Sequence, residues 1–155
     1  MLRVDIPDFA TVELMHLVLD YNGTLALDGE LLPDVRERLQ RLSAALSIHV
    51  VTGDTFGTAR ARLAGLPCQL SILPQRGQAE AKRVYVEHLG AGCACIGNGR
   101  NDHLMLKAAA LAIAVVQQEG AWGDTLTSAQ VIVRDIRDAL DLLLYPQRLV
   151  ATLRG

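Results

Sequence analysis

Apolar positions in this chain fall into short continuous runs separated by segments of helical period. The runs at 14–19, 48–51, 68–73, 93–96, 112–116 and 131–133 are each four to eight residues or shorter and bounded by turn residues, which predicts buried strands. Between them, Val35, Leu39, Leu42 and Leu46 recur at spacings of four, three and four, the apolar stripe of a helix opening at Pro33. Further helices are expected from Asp54 to about Gly65, a residue suited to a C-terminal cap, and over 78–88 with Ala81, Val84 and Tyr85 inward. Others are expected up to about residue 110, over 121–128 and over 136–144. Residues 2–13 are short extended pieces broken at Pro7-Asp8 and read as a hairpin.

Strands and helices alternate throughout, with no repeat, linker or low-complexity segment. That order predicts an α/β, three-layer Rossmann-like fold: a mostly parallel sheet with helices on both faces. At 155 residues, one domain spanning 1–155 is expected.

Composition narrows the function classes. Half the residues are hydrophobic and only 4% aromatic, so the core is built from Leu, Val, Ile and Ala. A net charge of −2 gives no electrostatic case for nucleic acid or an anionic membrane surface as partner. No apolar stretch is long enough to span a bilayer, and no signal peptide is expected. Three cysteines argue against a disulfide framework and fit a reducing, cytoplasmic setting. Cys93 and Cys95 are expected as buried thiols, and His103 as a packing residue.

In such a fold the loops after the strands share one edge of the sheet. Three of them are polar and glycine-bearing: Asp20–Thr24, 52–54 and 97–102. Asp20 ends an apolar strand, which makes it a candidate nucleophile. The helix near Gln78 can bring Lys82 to the same edge. A phosphoryl group attacked by Asp20 needs its equatorial oxygens neutralised, and Thr52, backbone N–H groups, Lys82 and a divalent cation are suited to that. Mg²⁺ suits a site of oxygen ligands only. Asp54 is expected to cap the helix that follows it.

With these residues the chain resembles haloacid-dehalogenase-type (HAD) phosphohydrolases, in particular the small soluble members related to the P-type ATPase catalytic domain. Asp20-Tyr21-Asn22-Gly23-Thr24 matches the first motif, Thr52 the second, Lys82 the third, and Gly97-Asn98-Gly99-Arg100-Asn101-Asp102 the fourth. All four occur in order, and the resemblance covers the chain from about residue 14. It implies Asp20 as the phosphoryl-accepting nucleophile and a metal ligand, with the backbone carbonyl of Asn22 as another ligand. It implies Thr52, Gly53 and Lys82 as phosphate-binding, Asn98 as a direct ligand of Mg²⁺, and Asp102 as completing or supporting the metal shell. The substrate implied is a small phosphorylated molecule.

Two positions depart from the family pattern, both by Asp to Asn. At 22 many family phosphatases carry the acid that protonates the leaving group. Asn cannot do so, and a positioned general acid–base contributes about 10²–10⁴-fold in rate. At 98 an amide oxygen replaces a ligating carboxylate, and the site loses a full negative charge. Substrates with good leaving groups are therefore favoured. Two alternatives stay open: a phosphoryl-binding or regulatory protein with weak turnover, and a soluble ATPase. Gly97-Asn98-Gly99 also resembles a dinucleotide turn, with Glu119 near the ribose position, but Asp102 stands where that turn carries its third Gly. The spacing leaves no room for a cap domain over the site. An open site and an apolar composition make a homo-oligomer the expectation.

Overall fold

The computed structural model describes residues 1–155. An antiparallel hairpin, β1 (Leu2–Ile6) and β2 (Ala10–Leu14), leads into β3 (His16–Leu19). A two-residue ribbon, β4 (Ala26–Leu27) with β5 (Glu30–Leu31), precedes α1 (Val35–Leu42). Then come β6 (Ser47–Thr52), α2 (Ala59–Leu63), β7 (Cys68–Ile72), α3 (Gln78–Leu89) and β8 (Cys93–Gly97). A 3₁₀ turn (Arg100–Asp102) runs into α4 (His103–Ala108), followed by β9 (Leu111–Val115), α5 (Gly123–Thr127), β10 (Val131–Val133), α6 (Ile136–Leu144) and α7 (Pro146–Leu153).

Six strands form one sheet in the order β10-β9-β8-β3-β6-β7, every pair parallel. This is the expected α/β, three-layer architecture. An all-parallel sheet needs both faces covered, and strand residues alternate between two apolar layers. Leu17, Leu19, Ile48, Val50, Ile96 and Ile113 pack with Val35 and Leu39 of α1, Leu140 of α6, Leu149 of α7, and Val4 and Val12 of the hairpin. Val18, Val51, Cys93, Cys95 and Ala112 face the other way, against Val86 of α3 and Met105 and Leu106 of α4. Arg38 of α1 clasps Asp141 of α6 with two bonds, at 2.9 and 3.2 Å. The connection from β3 to β6 holds only the β4–β5 ribbon and α1, and that from β6 to α3 only α2 and β7, so no cap interrupts the fold.

The chain leaves β3 towards β6 on one side, then crosses back to place β8 on the other. The strand order thus reverses at β3, and the crevice beyond the carboxyl ends of β3 and β8 is where such sheets take ligands.

Four elements differ from the sequence pattern for identifiable reasons. Helix α2 starts at Ala59 because Asp54, in a left-handed conformation (φ 49°), first makes a turn to Gly57. Its Oδ1 then accepts the N–H groups of Thr58 and Ala59, so Asp54 caps the helix from a distance. Helix α1 starts at Val35, with Asp34 and not Pro33 at its boundary. Helix α7 has no counterpart in the pattern, whose last helix is the one over 136–144: Pro146 occupies the first turn of a new helix, where its missing N–H is no loss. In α3 the most buried residues are Lys82 and Val86, while Ala81, Val84 and Tyr85 are half-buried. Polar pairing buries Lys82 on that face, and apolar packing buries Val86.

Candidate active site

Asp20 follows β3 directly, its N–H donating to the Ile96 carbonyl of β8 at 3.1 Å. Its carboxylate is almost fully buried. Lys82, with no exposed side-chain surface, reaches it from α3: Nζ lies 2.7 Å from Asp20 Oδ1 and 2.7 Å from Asp102 Oδ1. The other Asp102 oxygen accepts the backbone N–H groups of Asn98 (3.0 Å) and Gly99 (2.9 Å). Burial and the neighbouring Asp102 charge push the Asp20 carboxyl up to about 6, against the opposing pull of Lys82. Burial pulls the Lys82 ammonium down, but Asp102 and Asp20 outweigh it and hold its pKa above the ordinary value.

The two oxygens of Asp20 face different neighbours. Oδ1 faces the ammonium. Oδ2 lies 3.3 Å from the Thr24 hydroxyl, which is also 3.3 Å from Asn98 Oδ1. Asn98 is held in this sense because its Nδ2 donates to the Gly120 carbonyl at 3.0 Å. One hydroxyl hydrogen cannot satisfy both oxygens. Asn22 also lines this cavity, and its side-chain Oδ1 is buried without any hydrogen-bond partner. An oxygen-only donor set fits a hard cation such as Mg²⁺. It holds little negative charge, for no group of three His, Cys, Asp or Glu side chains converges anywhere in the molecule.

Across the cavity, Thr52 ends β6, buried, its Oγ1 accepting the Asp54 N–H at 3.0 Å. Gly53 follows it. The cavity measures about 280 Å³ and is lined by Asp20, Asn22, Thr52, Gly53, Thr55, Gln78, Asn98, Gly99, Asn101 and Glu119, with no apolar residue among them. The fold thus gathers Asp20, Asn22, Thr52, Gly53 and Asn98 around one cavity, with Lys82 and Asp102 hydrogen-bonded behind Asp20.

Several residues of this site carry no motif signal. Gln78 and Asn101 close one wall, joined by a 2.8 Å bond from Asn101 Nδ2 to Gln78 Oε1. Gln117 reaches in from the segment after β9. Its Nε2 donates to the carbonyls of Gly23 (3.1 Å) and Thr24 (2.9 Å), and its Oε1 accepts the N–H of Ile136 at the start of α6 (2.9 Å). Glu119 lies in the turn Gln117–Gly120; burial, then the charge of Asp28, raises its carboxyl above the ordinary value. Of the histidines, His103 packs edge-on against Trp122. His49 is buried between His16 and Tyr85, at 3.2 and 2.9 Å, on the α3 side of the sheet. All three cysteines are free thiols. No helix is long and apolar enough to cross a membrane.

The parallel sheet with this crevice is the HAD-hydrolase fold. The chain superimposes on the cobalt-bound form of deoxy-D-mannose-octulosonate 8-phosphate phosphatase from Haemophilus influenzae with a TM-score of 0.72, 18% identity, and coverage of 92% of this chain and 94% of that one. A 3-deoxy-D-manno-octulosonate 8-phosphate phosphatase from Moraxella catarrhalis, in complex with a magnesium ion, a phosphate ion and KDO, gives a TM-score of 0.68 at 19% identity, over 90% and 86% of the two chains. The catalytic domain of the CPx-ATPase CopB-B gives 0.61 at 23% identity, over 73% of this chain and 45% of that one. In sequence, an uncharacterized protein of Methanocaldococcus jannaschii is 58% identical over 59 residues, 38% of this chain; the match spans 63% of that relative's length. No protein-family model matches the chain.

Proposed function

We propose that this protein is a Mg²⁺-assisted phosphohydrolase acting on a small phosphorylated substrate through an aspartyl-phosphate at Asp20. The observation that carries the reading is the Lys82 ammonium 2.7 Å from the Asp20 carboxylate at the edge of a small polar cavity, with Thr52 opposite. Above pH of about 6 Asp20 is ionised and competent to attack.

In the proposed reaction Asp20 Oδ1 forms a bond to phosphorus while the bond to the leaving oxygen breaks. Lys82, the Thr52 hydroxyl and the N–H of Gly53 take up charge on the transferring oxygens. Asp102 holds Lys82 in place. Asp20 Oδ2, Asn98 Oδ1 and the backbone carbonyl of Asn22 would hold Mg²⁺, which supplies charge neutralisation on the phosphoryl oxygens when bound. Water then cleaves the phosphorus–oxygen bond, returning the Asp20 carboxylate and inorganic phosphate. Because Asn22 transfers no proton, the leaving group departs as an anion, which favours acyl, anhydride and aryl phosphates. The sugar-acid 8-phosphate named for two of the structural neighbours is an alkyl ester and fits this site poorly.

The fold neighbours with bound magnesium, phosphate or cobalt support the reading of a cation beside a phosphate. The small-molecule substrate, cytoplasmic setting and single-domain organisation belong to the same proposal. So does a homo-oligomer, supported by apolar side chains on both sheet edges, Ile132 on β10 and Ile72 on β7, 54% and 44% exposed. A monomeric mass by light scattering would overturn that part.

The test is phosphate release from acetyl phosphate and p-nitrophenyl phosphate with and without MgCl₂, with Asp20→Asn as control. Mg²⁺-dependent release abolished by Asp20→Asn is expected. Release that survives the substitution overturns the mechanism. The two Asn positions favour a second reading, a phosphoryl-binding protein with little turnover. Tight binding of beryllium fluoride with Mg²⁺, combined with no hydrolysis of either substrate, would select it.

A further inference from the structure

The charge missing at Asn98 has a neighbouring source. A methyl group built on Gly23 would lie 2.1 Å from Glu119 Oε2, 2.6 Å from Asn98 Nδ2 and 2.9 Å from Asn98 Oδ1. The Glu119 carboxylate and the Asn98 amide therefore converge over the same point of the nucleophile loop, and Gly23 keeps that space open. Gly23 also has φ +81°, so two requirements fix glycine there.

Both partners are set by one turn. Gly120 accepts the Asn98 Nδ2–H at 3.0 Å, which aims Asn98 Oδ1 at the Thr24 hydroxyl. The Trp122 N–H donates to the Asn98 carbonyl at 2.9 Å. Gln117 ties the start of the turn to the carbonyls of Gly23 and Thr24. An aspartate at 98 would present a carboxylate oxygen to the Gly120 carbonyl in place of a donor. The surroundings of position 98 thus suit an amide, and the adjacent residue of the same turn brings a carboxylate.

We propose that Glu119 supplies the negative charge of the cation site, acting with the neutral Asn98 as the pair that replaces a single ligating carboxylate. This rests on the reading of Asp20 as the anchor of a divalent-cation site. Carboxylates that support metal ligands contribute about 10–100-fold in affinity, and ligand charge tunes binding of hard cations.

Binding of Mn²⁺ as a paramagnetic stand-in, followed by electron paramagnetic resonance of the free ion, tests the idea without reference to turnover. Glu119→Gln should weaken binding about tenfold or more. It should leave the thermal midpoint without cation unchanged and reduce the rise in midpoint that the cation produces. Asp8→Asn, which removes the same charge from the exposed β1–β2 turn, should bind as the parent does. Asn98→Asp should give no gain in affinity, because of the Gly120 carbonyl. Glu119→Gln binding Mn²⁺ as tightly as the parent, or a tenfold gain in Asn98→Asp, overturns the role of Glu119. If Asp20→Asn leaves binding intact, or the parent binds no Mn²⁺, the cation site itself falls and this inference with it.

Discussion

Lys82 holds Asp20 and Asp102 apart with one ammonium group, 2.7 Å from an oxygen of each. Both carboxylates are buried and the lysine is wholly so. Truncating one member of such a set leaves charges without compensation, at a cost of about 3–5 kcal/mol. Lys82→Ala is accordingly expected to lower the urea midpoint substantially at neutral pH and to abolish phosphate release. Lys82→Arg should not rescue release, because a planar guanidinium cannot replace an enclosed ammonium between two single oxygens. Near-parental stability in Lys82→Ala would show that the cluster is not charged as drawn.

The pH dependence follows from Asp20. Its carboxyl titrates at about 6 in the cation-free protein, above the ordinary 3.8. Below that value it holds a proton, which a cation must displace; above it the site is charged. Mg²⁺ affinity should rise with pH up to about 6 and level off beyond. For stability the sign is the reverse: the folded state holds the proton more tightly than the unfolded chain. The Asp20 contribution to stability therefore declines as pH rises from about 4 to about 6. Carboxyl chemical shifts followed through a pH titration without cation check both statements, and a midpoint near 4 for Asp20 would refute them.

Asn22 makes a prediction about substrates. Aryl and acyl phosphates should be cleaved faster than alkyl monoesters in steady state. Asn22→Asp should raise alkyl-ester turnover, up to about 10²–10⁴-fold if the new carboxyl reaches the leaving oxygen. Its amide oxygen is already buried and unpartnered, so the exchange displaces no hydrogen bond made by that atom. A preference for alkyl esters in the parent would contradict the argument from the missing acid.

Gly97 offers a structural test. A Cβ there would lie 2.5 Å from Asp102 Cγ, and that carboxylate is fixed by Lys82 and by two backbone N–H groups. Gly97→Ala should cost about 1–3 kcal/mol of stability by overpacking and weaken cation binding together with it. Gly53→Ala meets only the far end of the Gln78 side chain, at 2.3 Å, and should be milder. Chemical denaturation of the two variants side by side distinguishes them.

How far the sequence discloses the site depends on where each residue stands. Asp20, Thr52 and Asn98 each end an apolar strand, so periodicity alone brings them to one edge. Lys82 is different: the apolar pattern of its helix points to Ala81, Val84 and Tyr85, and Lys82 stands out only by its charge near the start of that helix and by the family motif. Gln78 and Glu119 reach the cavity, and Gln117 the carbonyls of Gly23 and Thr24, by side chains at positions where spacing carries no signal. The β4–β5 ribbon did leave a sign. Asp28-Gly29, with φ of 52° and 82°, is a two-residue hairpin turn, but strands of two residues are too short to show alternation. Helix α7 was hidden because a proline that ends one helix also starts the next.

Gln117 has a wider consequence. One amide side chain grips two carbonyls of the loop after Asp20 and the first N–H of α6, a helix that packs against the opposite end of the sequence order, beside α1. The loop that bears Asp20 is therefore anchored at two carbonyls to the body of the protein, which opposes its swinging towards a bound molecule. On the proposed reading, substrates would be selected by what fits a fixed opening, and the molecule would work as a rigid die, not as a hand that closes.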